Sequence, residues 1–423
     1  MTLHSVKSRL LRNSRFRSIG MRLWELGRDL PRRIRFQHVP ILQRWSGRPV
    51  GWHATFGDYL AKHPSRGWQK VIRPGGSYER MRPISLGRAL PACFDPPQTI
   101  SWEDERVIFL EGCRYWGGYG GSIITHDEHL LGELSPDVWG LERHTLFNKL
   151  KLPSAVALPG LTAVISTPEA DCNYSHWMME LLPRLGLFAE AGYGPERVNR
   201  YLVNLGRVPY ERETLTLAGL PSEKLLPVTA ASHFRCENVI TTSLRTKHWQ
   251  HSLPAWVPEY LRRLTNLPPG SSATKRLYLT RRNASFRQVI NEEELLPILR
   301  ANSFEVFDPA ERSVREQAAI FGDADAVVSP HSSAMTNLVF CRPGTAVMEI
   351  FAADYFDVSF WTAATSSACR YSAVMGERIG QDVPRTVIEA RRQDIVIPPQ
   401  LLASSLDAFC ASPQPSGGAP SPL

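Results

Sequence analysis

The stretch ADAVVSPHSSAMTNLVFCRPGTAVMEI, residues 324–350, decides the fold. Ala326, Val327 and Val328 are a compact β-prone run, and Pro330 has no N–H to donate, so the ladder is expected to stop there. A polar turn follows, with His331, Ser332 and Ser333 where the next helix begins. The first turn of a helix leaves N–H groups unpaired at its positive dipole end, a natural seat for an anion such as phosphate. Cys341, Arg342, Pro343 and Gly344 end that helix, and Ala346 to Ile350 reads as the next buried strand. Taken by itself, the turn is equally an ordinary α/β turn with a serine cap.

Upstream, the alternation is regular. Arg276 to Thr280 is a strand, and Asn291 caps a helix with Glu292, Glu293 and Glu294 in its first turn. Phe304 to Phe307 is a strand, and Ser313 with Glu316 makes a capping box for the helix that precedes Ala324. The order β-α-β-α-β-α-β predicts a parallel sheet with helices on both faces, with ligands gathered at the carboxyl ends of its strands. Those ends carry Arg281 and Arg282, Asp308, His331 with Ser332 and Ser333, and Glu349. Arginines fork onto phosphate oxygens, each charge-assisted bond contributing about 1.5–3 kcal/mol, and a carboxylate can accept from ribose hydroxyls. A nucleotide diphosphate needs this set.

Before a Pro- and Ser-rich run at 267–274, which reads as an interdomain linker, the pattern is also α/β. Thr162 to Thr167, Val198 to Asn204 and Val239 to Thr242 are strand candidates, and Glu211 to Leu217 is helical. A loop from Pro168 to Asn173 leads into a helix beginning near Tyr174 or Ser175. On it His176 and Glu180 are four apart and share a face. The carboxylate can hold one ring nitrogen and leave the other free as a base. A metal site from this spacing lacks a third ligand in reach, and a structural histidine is the plainer alternative. Residues 50–150 are the least legible, with Val107 to Leu110 a short strand, the cluster Gly117, Gly118, Gly120 and Gly121 a hairpin turn, and Ser122 to Thr125 a strand. No Lys-Ser/Thr follows those glycines, which argues against a phosphate loop.

Composition sets the limits. A chain of 423 residues with 43% hydrophobic and 21% charged residues has room for two or three globular domains. Seven cysteines without a C-x-x-C pair suggest buried thiols in a reducing compartment. No apolar run approaches the roughly 18 residues of a membrane span. Residues 1–50 hold twelve Lys or Arg against Glu25 and Asp29, a net of +10; the whole chain is +8, so the other 373 residues carry −2. The body is therefore not a nucleic-acid binder. In residues 1–35 the basic residues alternate with apolar ones, as in an amphipathic helix at an anionic membrane surface, a partner-docking arm or a misplaced start. The tail 412–423 is rich in Pro, Ser and Gly and reads as disordered.

Asn173 to Leu185, Arg281 and Arg282 followed by Asn291 and Glu292, Glu316 with Gln317, and Asp325 to Asn337 followed by Phe340, Pro343, Gly344 and Glu349 together resemble glycosyltransferase family 61. Ser332 and Glu180 depart from that family's usual Gly and Asp. The resemblance implies an α/β, GT-B-like architecture of two facing Rossmann-like domains with parallel sheets. It also implies inverting sugar transfer from a nucleotide sugar with no cofactor and no required metal. The expected organisation is a basic arm (1–50), an acceptor-side domain (51–266), a linker (267–275), a nucleotide-sugar domain (276–411) and the tail. His176 and Glu180 are the expected catalytic pair. Arg281, Arg282, His331, Ser332, Ser333, Asn337 and Glu349 are the expected donor site. The acceptor is expected to be a glycan or lipid-linked hydroxyl in bacterial capsular or other surface polysaccharide synthesis, at the inner face of the cytoplasmic membrane. The alternative is a non-catalytic nucleotide-sugar or glycan-binding subunit. A kinase or hydrolase is disfavoured because no P-loop Lys and no metal-binding carboxylate pair is evident.

Overall fold

The computed structural model describes residues 40–80, 82–95, 98–243, 252–267, 274–380 and 383–411. Most of the expected basic arm, residues 268–273 of the expected linker, and the expected disordered tail lie outside these residues. In chain order the strands are β1 (Gly51–His53), β2 (Gly67–Arg73), β3 (Gly76–Arg80), β4 (Ile84–Leu86), β5 (Gln98–Trp102), β6 (Glu105–Trp116), β7 (Ser122–Ile124), β8 (His129–Leu131) and β9 (Val156–Val164). There follow β10 (Arg200–Val203), β11 (Leu225–Pro227), β12 (His233–Thr242), β13 (Lys275–Leu279), β14 (Phe304–Phe307), β15 (Ala324–Pro330), β16 (Ala346–Phe351) and β17 (Arg370–Met375).

The opening stretch forms the centre of a six-stranded sheet ordered β14-β13-β15-β16-β17-β4. Every pair in it is parallel, and β16 is buried along its whole length, as near-continuous apolar runs of parallel sheets require. Strand β15 runs one residue further than expected: Pro330 pairs with Ile350, and His331 N–H donates to the Ile350 carbonyl at 2.9 Å. Proline ends donation, but the ladder is continued by its neighbour. The capping box at Ser313 and Glu316 forms in full. Asn291 occupies its N-cap without bonding the helix; its side chain instead bonds Ile397 on both backbone atoms.

A second sheet has nine strands, β1-β8-β7-β6-β12-β9-β10-β11, with β2 also on β6, and β3 and β5 form a separate antiparallel pair. It is parallel over β12, β9, β10 and β11 and at β1–β8, and antiparallel at β7–β8 and where β6 meets β2, β7 and β12. The expectation of parallel sheets throughout is thus met in one sheet and in parts of the other. The glycine cluster turns the chain from β6 into β7 as the expected hairpin, which accounts for that antiparallel pair. Gly120 has φ +81, and a Cβ there would meet Pro168 N at 2.2 Å, so only glycine lets the turn pack beneath the loop that leads to His176.

Sequence places residues 84–86 with the N-terminal unit, yet β4 adds the outer strand to the six-stranded sheet beside β17. Three residues between Pro83 and Gly87 carry no sign of so distant a partner. One apolar cluster joins both sheets, from Val107, Ala163 and Ile165 through Trp177, Leu181 and Leu261 to Leu277, Val327, Phe340 and Trp361. All seven cysteines are free; three are buried and three exposed, so burial is less general than expected. No helix among the described residues is long and apolar enough to cross a membrane.

Leu86 is 3% exposed in the core of the six-stranded sheet, whereas Ile84 is 47% exposed. Leu86→Ala should therefore lower stability by about 2–5 kcal/mol and Ile84→Ala by less than about 0.5 kcal/mol in guanidinium unfolding. Equal effects would contradict the placement of β4.

Candidate active site

The first half of the site is built at the end of β9. Thr167 N–H donates to Asn204 Oδ1 at 3.1 Å, and Asn204 Nδ2 donates back to the Thr167 carbonyl at 2.8 Å, pinning the strand end. The loop then rises through Glu169, a non-glycine residue at φ +64. Asn173 caps the following helix by accepting from Ser175 N–H at 2.9 Å. That helix is α-helical over Tyr174–His176, π-helical over Trp177–Leu181 and α-helical again over Leu182–Glu190. Leu182 N–H bonds Trp177 O, five residues back, and Pro183 has no N–H with which to resume the α ladder at once. Such π turns recur at functional sites.

His176 and Glu180 meet as their spacing predicts, with Nδ1 3.1 Å from Oε2. Thr167 Oγ1 donates to the same carboxylate oxygen at 3.1 Å. Arg184 continues the row, its guanidinium buried with neither Nη hydrogen-bonded among the described residues. Burial pulls its pKa down to about 10 even though Glu180 favours the charged form. His176 does not stand open. Its side chain is 3% exposed, and Nε2 lies 3.4 Å from Glu169 Oε2, whose side chain is 38% exposed. A neutral imidazole donates from one nitrogen only, so it bonds one of the two carboxylates at a time. Of the two, Glu169 is the more exposed, at 38% against 0% for Glu180.

The second half gathers around His331. Its Nδ1 is 2.5 Å from Glu349 Oε1, and Tyr371 O–H donates to Glu349 Oε2. Burial pushes the Glu349 carboxyl pKa up, against the pull of His331 and Tyr371. Both Glu349 oxygens are occupied and the residue is fully buried, so it orients His331 and has no oxygen left for a ribose. Phe351, Tyr355 and Phe360 pack around the imidazole at centroid distances of 5.3–5.4 Å. Ser332 Oγ is buried with no partner among the described residues, and Ser333 is exposed. Arg281 donates to the carbonyls of Phe286 and Arg287, and burial draws its pKa down to about 10. Arg282 is half exposed and paired with Glu292 and Glu293, with which a phosphate would have to compete.

Residues 174–348 match the family model for Glycosyltransferase 61. This segment belongs to glycosyltransferase family 61. No curated protein matches the chain. Among solved structures, the chain is similar to a D-isomer specific 2-hydroxyacid dehydrogenase family protein from Klebsiella pneumoniae 342, at 9% identity over 62% of this chain and 93% of that one, with a TM-score of 0.19.

Within the glycosyltransferase 61 segment, two side-chain bonds tie the halves together. Ser175 Oγ and Thr336 Oγ1 lie 2.7 Å apart, and Tyr174 O–H donates to Asn337 Oδ1 at 2.9 Å. Asn337 is fully buried and also donates to Gln317 Oε1 at 2.6 Å. Expected as a donor ligand, it is instead the clasp between the His176 helix and the 3-10 helix Ser333–Phe340. Three residues escaped sequence reasoning. Glu169 sits in a loop without periodicity, and Tyr355 follows a strand end by four residues. Arg287 donates to the carbonyls of His331 and Arg391 at 3.1 and 2.9 Å, five residues beyond the arginine pair that drew notice.

Asn337→Leu removes the acceptor of Tyr174 O–H and the donor to Gln317 Oε1. It should cost about 1–3 kcal/mol in urea unfolding, while Ser333→Ala on the exposed surface should change stability by less than about 0.5 kcal/mol. A neutral Asn337→Leu would show that the clasp does not hold the halves.

Proposed function

We propose that this protein is an inverting glycosyltransferase that moves a sugar from a nucleotide-sugar donor to a glycan or lipid-linked hydroxyl in bacterial surface polysaccharide synthesis, using a GT-B-like pair of lobes. The observation that carries this reading is the His176–Glu180 pair, seated in the family 61 segment and clasped through Ser175 and Tyr174 to the helix that follows His331.

In this reading the acceptor oxygen attacks the anomeric carbon from the face opposite the diphosphate. Its proton passes to His176 Nε2 once Glu169 has moved aside, and the bond pair of the broken C–O bond leaves with the diphosphate. Glu180, backed by Thr167 and Arg184, holds Nδ1–H and stabilises the imidazolium. Glu349 and Tyr371 hold His331 so that Nε2 faces the leaving group, and Ser332 Oγ supplies a donor without a competing partner. The N–H groups opening the Ser333–Phe340 helix add to this cradle, and Arg282 joins it on exchanging Glu293 for phosphate. Charge developing on the diphosphate is then met by fixed donors, which act most strongly in a dry site. Attachment through residues 1–35 to an anionic membrane would bring the enzyme to a lipid-linked acceptor.

His176→Ala should lower the transfer rate by about 10²–10⁴ while donor affinity measured by calorimetry stays within about twofold. Ser332→Ala should weaken donor binding by about 2- to 10-fold, the loss of one hydrogen bond of 0.5–1.5 kcal/mol. Transfer within tenfold of wild type in His176→Ala would remove the base assignment.

A further inference from the structure

The far edge of the nine-stranded sheet holds a second cluster of titratable side chains. Strand β1 ends at His53 and pairs with β8 through Gly51↔His129, Trp52↔Leu130 and His53↔Leu131. The helix Phe56–Lys62 follows, and His63 is its C-cap. The turn between β7 and β8 then supplies His126 and Asp127. Segments separate in sequence thus bring four imidazoles around one carboxylate.

The distances are specific. Asp127 Oδ2 lies 2.9 Å from His53 Nε2, 3.2 Å from His63 Nε2 and 3.3 Å from His129 Nδ1. Asp127 Oδ1 is already taken, accepting from Thr125 Oγ1 at 2.5 Å. His129 Nδ1 also lies 2.8 Å from the Asp127 carbonyl. One carboxylate oxygen facing three ring nitrogens is a poor hydrogen-bond arrangement, because each neutral imidazole brings a lone pair as well as an N–H. It is a good coordination arrangement. Ligands at about 2.0–2.1 Å around a tetrahedral metal lie about 3.3 Å from one another. The three carboxylate-to-imidazole separations agree within a few tenths of an ångström, and ligand atoms of His53, Asp127 and His129 all lie within 4.8 Å of one another.

We propose that His53, Asp127 and His129 form a site for a divalent late first-row transition metal of the Zn²⁺ type, with His63, whose Nε2 stands 3.2 Å from Asp127 Oδ2 but outside that preformed group, completing the shell by a side-chain shift. Imidazole with a single carboxylate suits such a metal better than Ca²⁺ or Mg²⁺, which favour oxygen. His129 enters through Nδ1, or through Nε2 with Nδ1–H kept on the Asp127 carbonyl. The second shell stands ready: Thr125 holds the distal carboxylate oxygen, and Tyr59 O–H meets His126 Nδ1 at 2.8 Å beside the His63 ring. His53 is buried while Asp127, His63 and His129 are partly exposed, which leaves a route of entry. On binding, protons shared among the ligands leave to solvent.

The role is structural. Four strand steps separate β8 from β9 in the sheet order, about 19 Å at 4.8 Å per step, so the ion lies away from His176. Strand β1 is held by only three residue pairs, and the metal would staple it and the Phe56–Lys62 helix to the β7–β8 hairpin. The site is independent of the proposed sugar transfer.

The full chain, tag-free and stripped with chelator, would be titrated with Zn²⁺ and with Co²⁺, reading bound metal by elemental analysis, visible ligand-field bands for Co²⁺, and Tm. Expected are one ion per chain, tetrahedral Co²⁺ bands and a Tm raised by at least about 2 °C at saturation. Asp127→Asn and His53→Gln should each weaken binding by at least about 10-fold, and His126→Gln, outside the ligand set, by much less. Should Asp127→Asn fail to fold, His63→Gln serves in its place with the same Co²⁺ readout. Less than about one-tenth of an ion per chain at micromolar free metal, or equal uptake by wild type and the ligand variants, overturns the proposal.

Discussion

The seam between Tyr174–Ser175 and Thr336–Asn337 is the constraint on which the candidate site depends. Tyr174 and Ser175 open their helix, while Thr336 and Asn337 lie midway along Ser333–Phe340, so the seam joins the start of one element to the middle of the other. Burying hydroxyl and amide groups there is costly unless they find one another, so the seam is stable in one register and poor in its neighbours. That selectivity sets where His176 lies relative to the turn at His331. Apolar packing alone would leave the two elements free to slide, because one continuous core runs beneath both sheets.

Much of the six-stranded sheet was legible. Its central strands β15, β16 and β17 are buried along nearly their whole length and the helix before β15 carries a full capping box at Ser313, so propensity, period and capping point the same way. The pairing of His176 with Glu180 was readable too, since four residues along a helix fix a face. What escaped was non-local. No property of Ile84 to Leu86 names β17 as a partner, and no spacing rule connects His53 and His63 with Asp127. Sequence searches for metal ligands look for short repeats such as H-x-x-x-E or C-x-x-C. A set assembled from a strand end, a helix cap and a hairpin turn has no such repeat.

The arginines teach a related point. Arg281 and Arg282 attract notice because two guanidinium groups after a strand suit a diphosphate. The structure gives Arg281 to carbonyls of its own loop and Arg282 to Glu292 and Glu293. Arg287, unremarkable in sequence, is fastened to the His331 carbonyl. Charge alone thus marks the region of a site, while the hydrogen bonds already made decide which side chain is left to meet a ligand. The same accounting moves Glu349 and Asn337 from contact with ligand to the positioning of His331 and of the His176 helix.

A buried base is compatible with sugar transfer if what covers it can leave. Glu169 is well suited to that, being partly exposed and held in the left-handed backbone region, which costs a non-glycine residue about 1–2 kcal/mol. With Nδ1–H held by Glu180, the Nε2 lone pair facing Glu169 makes no hydrogen bond to it, so in the proposed reaction a group able to donate to Nε2 would be favoured there. An approaching sugar hydroxyl offers such a replacement, since it can donate to Nε2 where Glu169 can only accept. Glu180 cannot exchange in this way: it is buried, fixed by Thr167 and flanked by Arg184. The two carboxylates around one imidazole thus differ in surroundings, and the proposed reaction would use that difference, Glu180 setting the ring and Glu169 covering it.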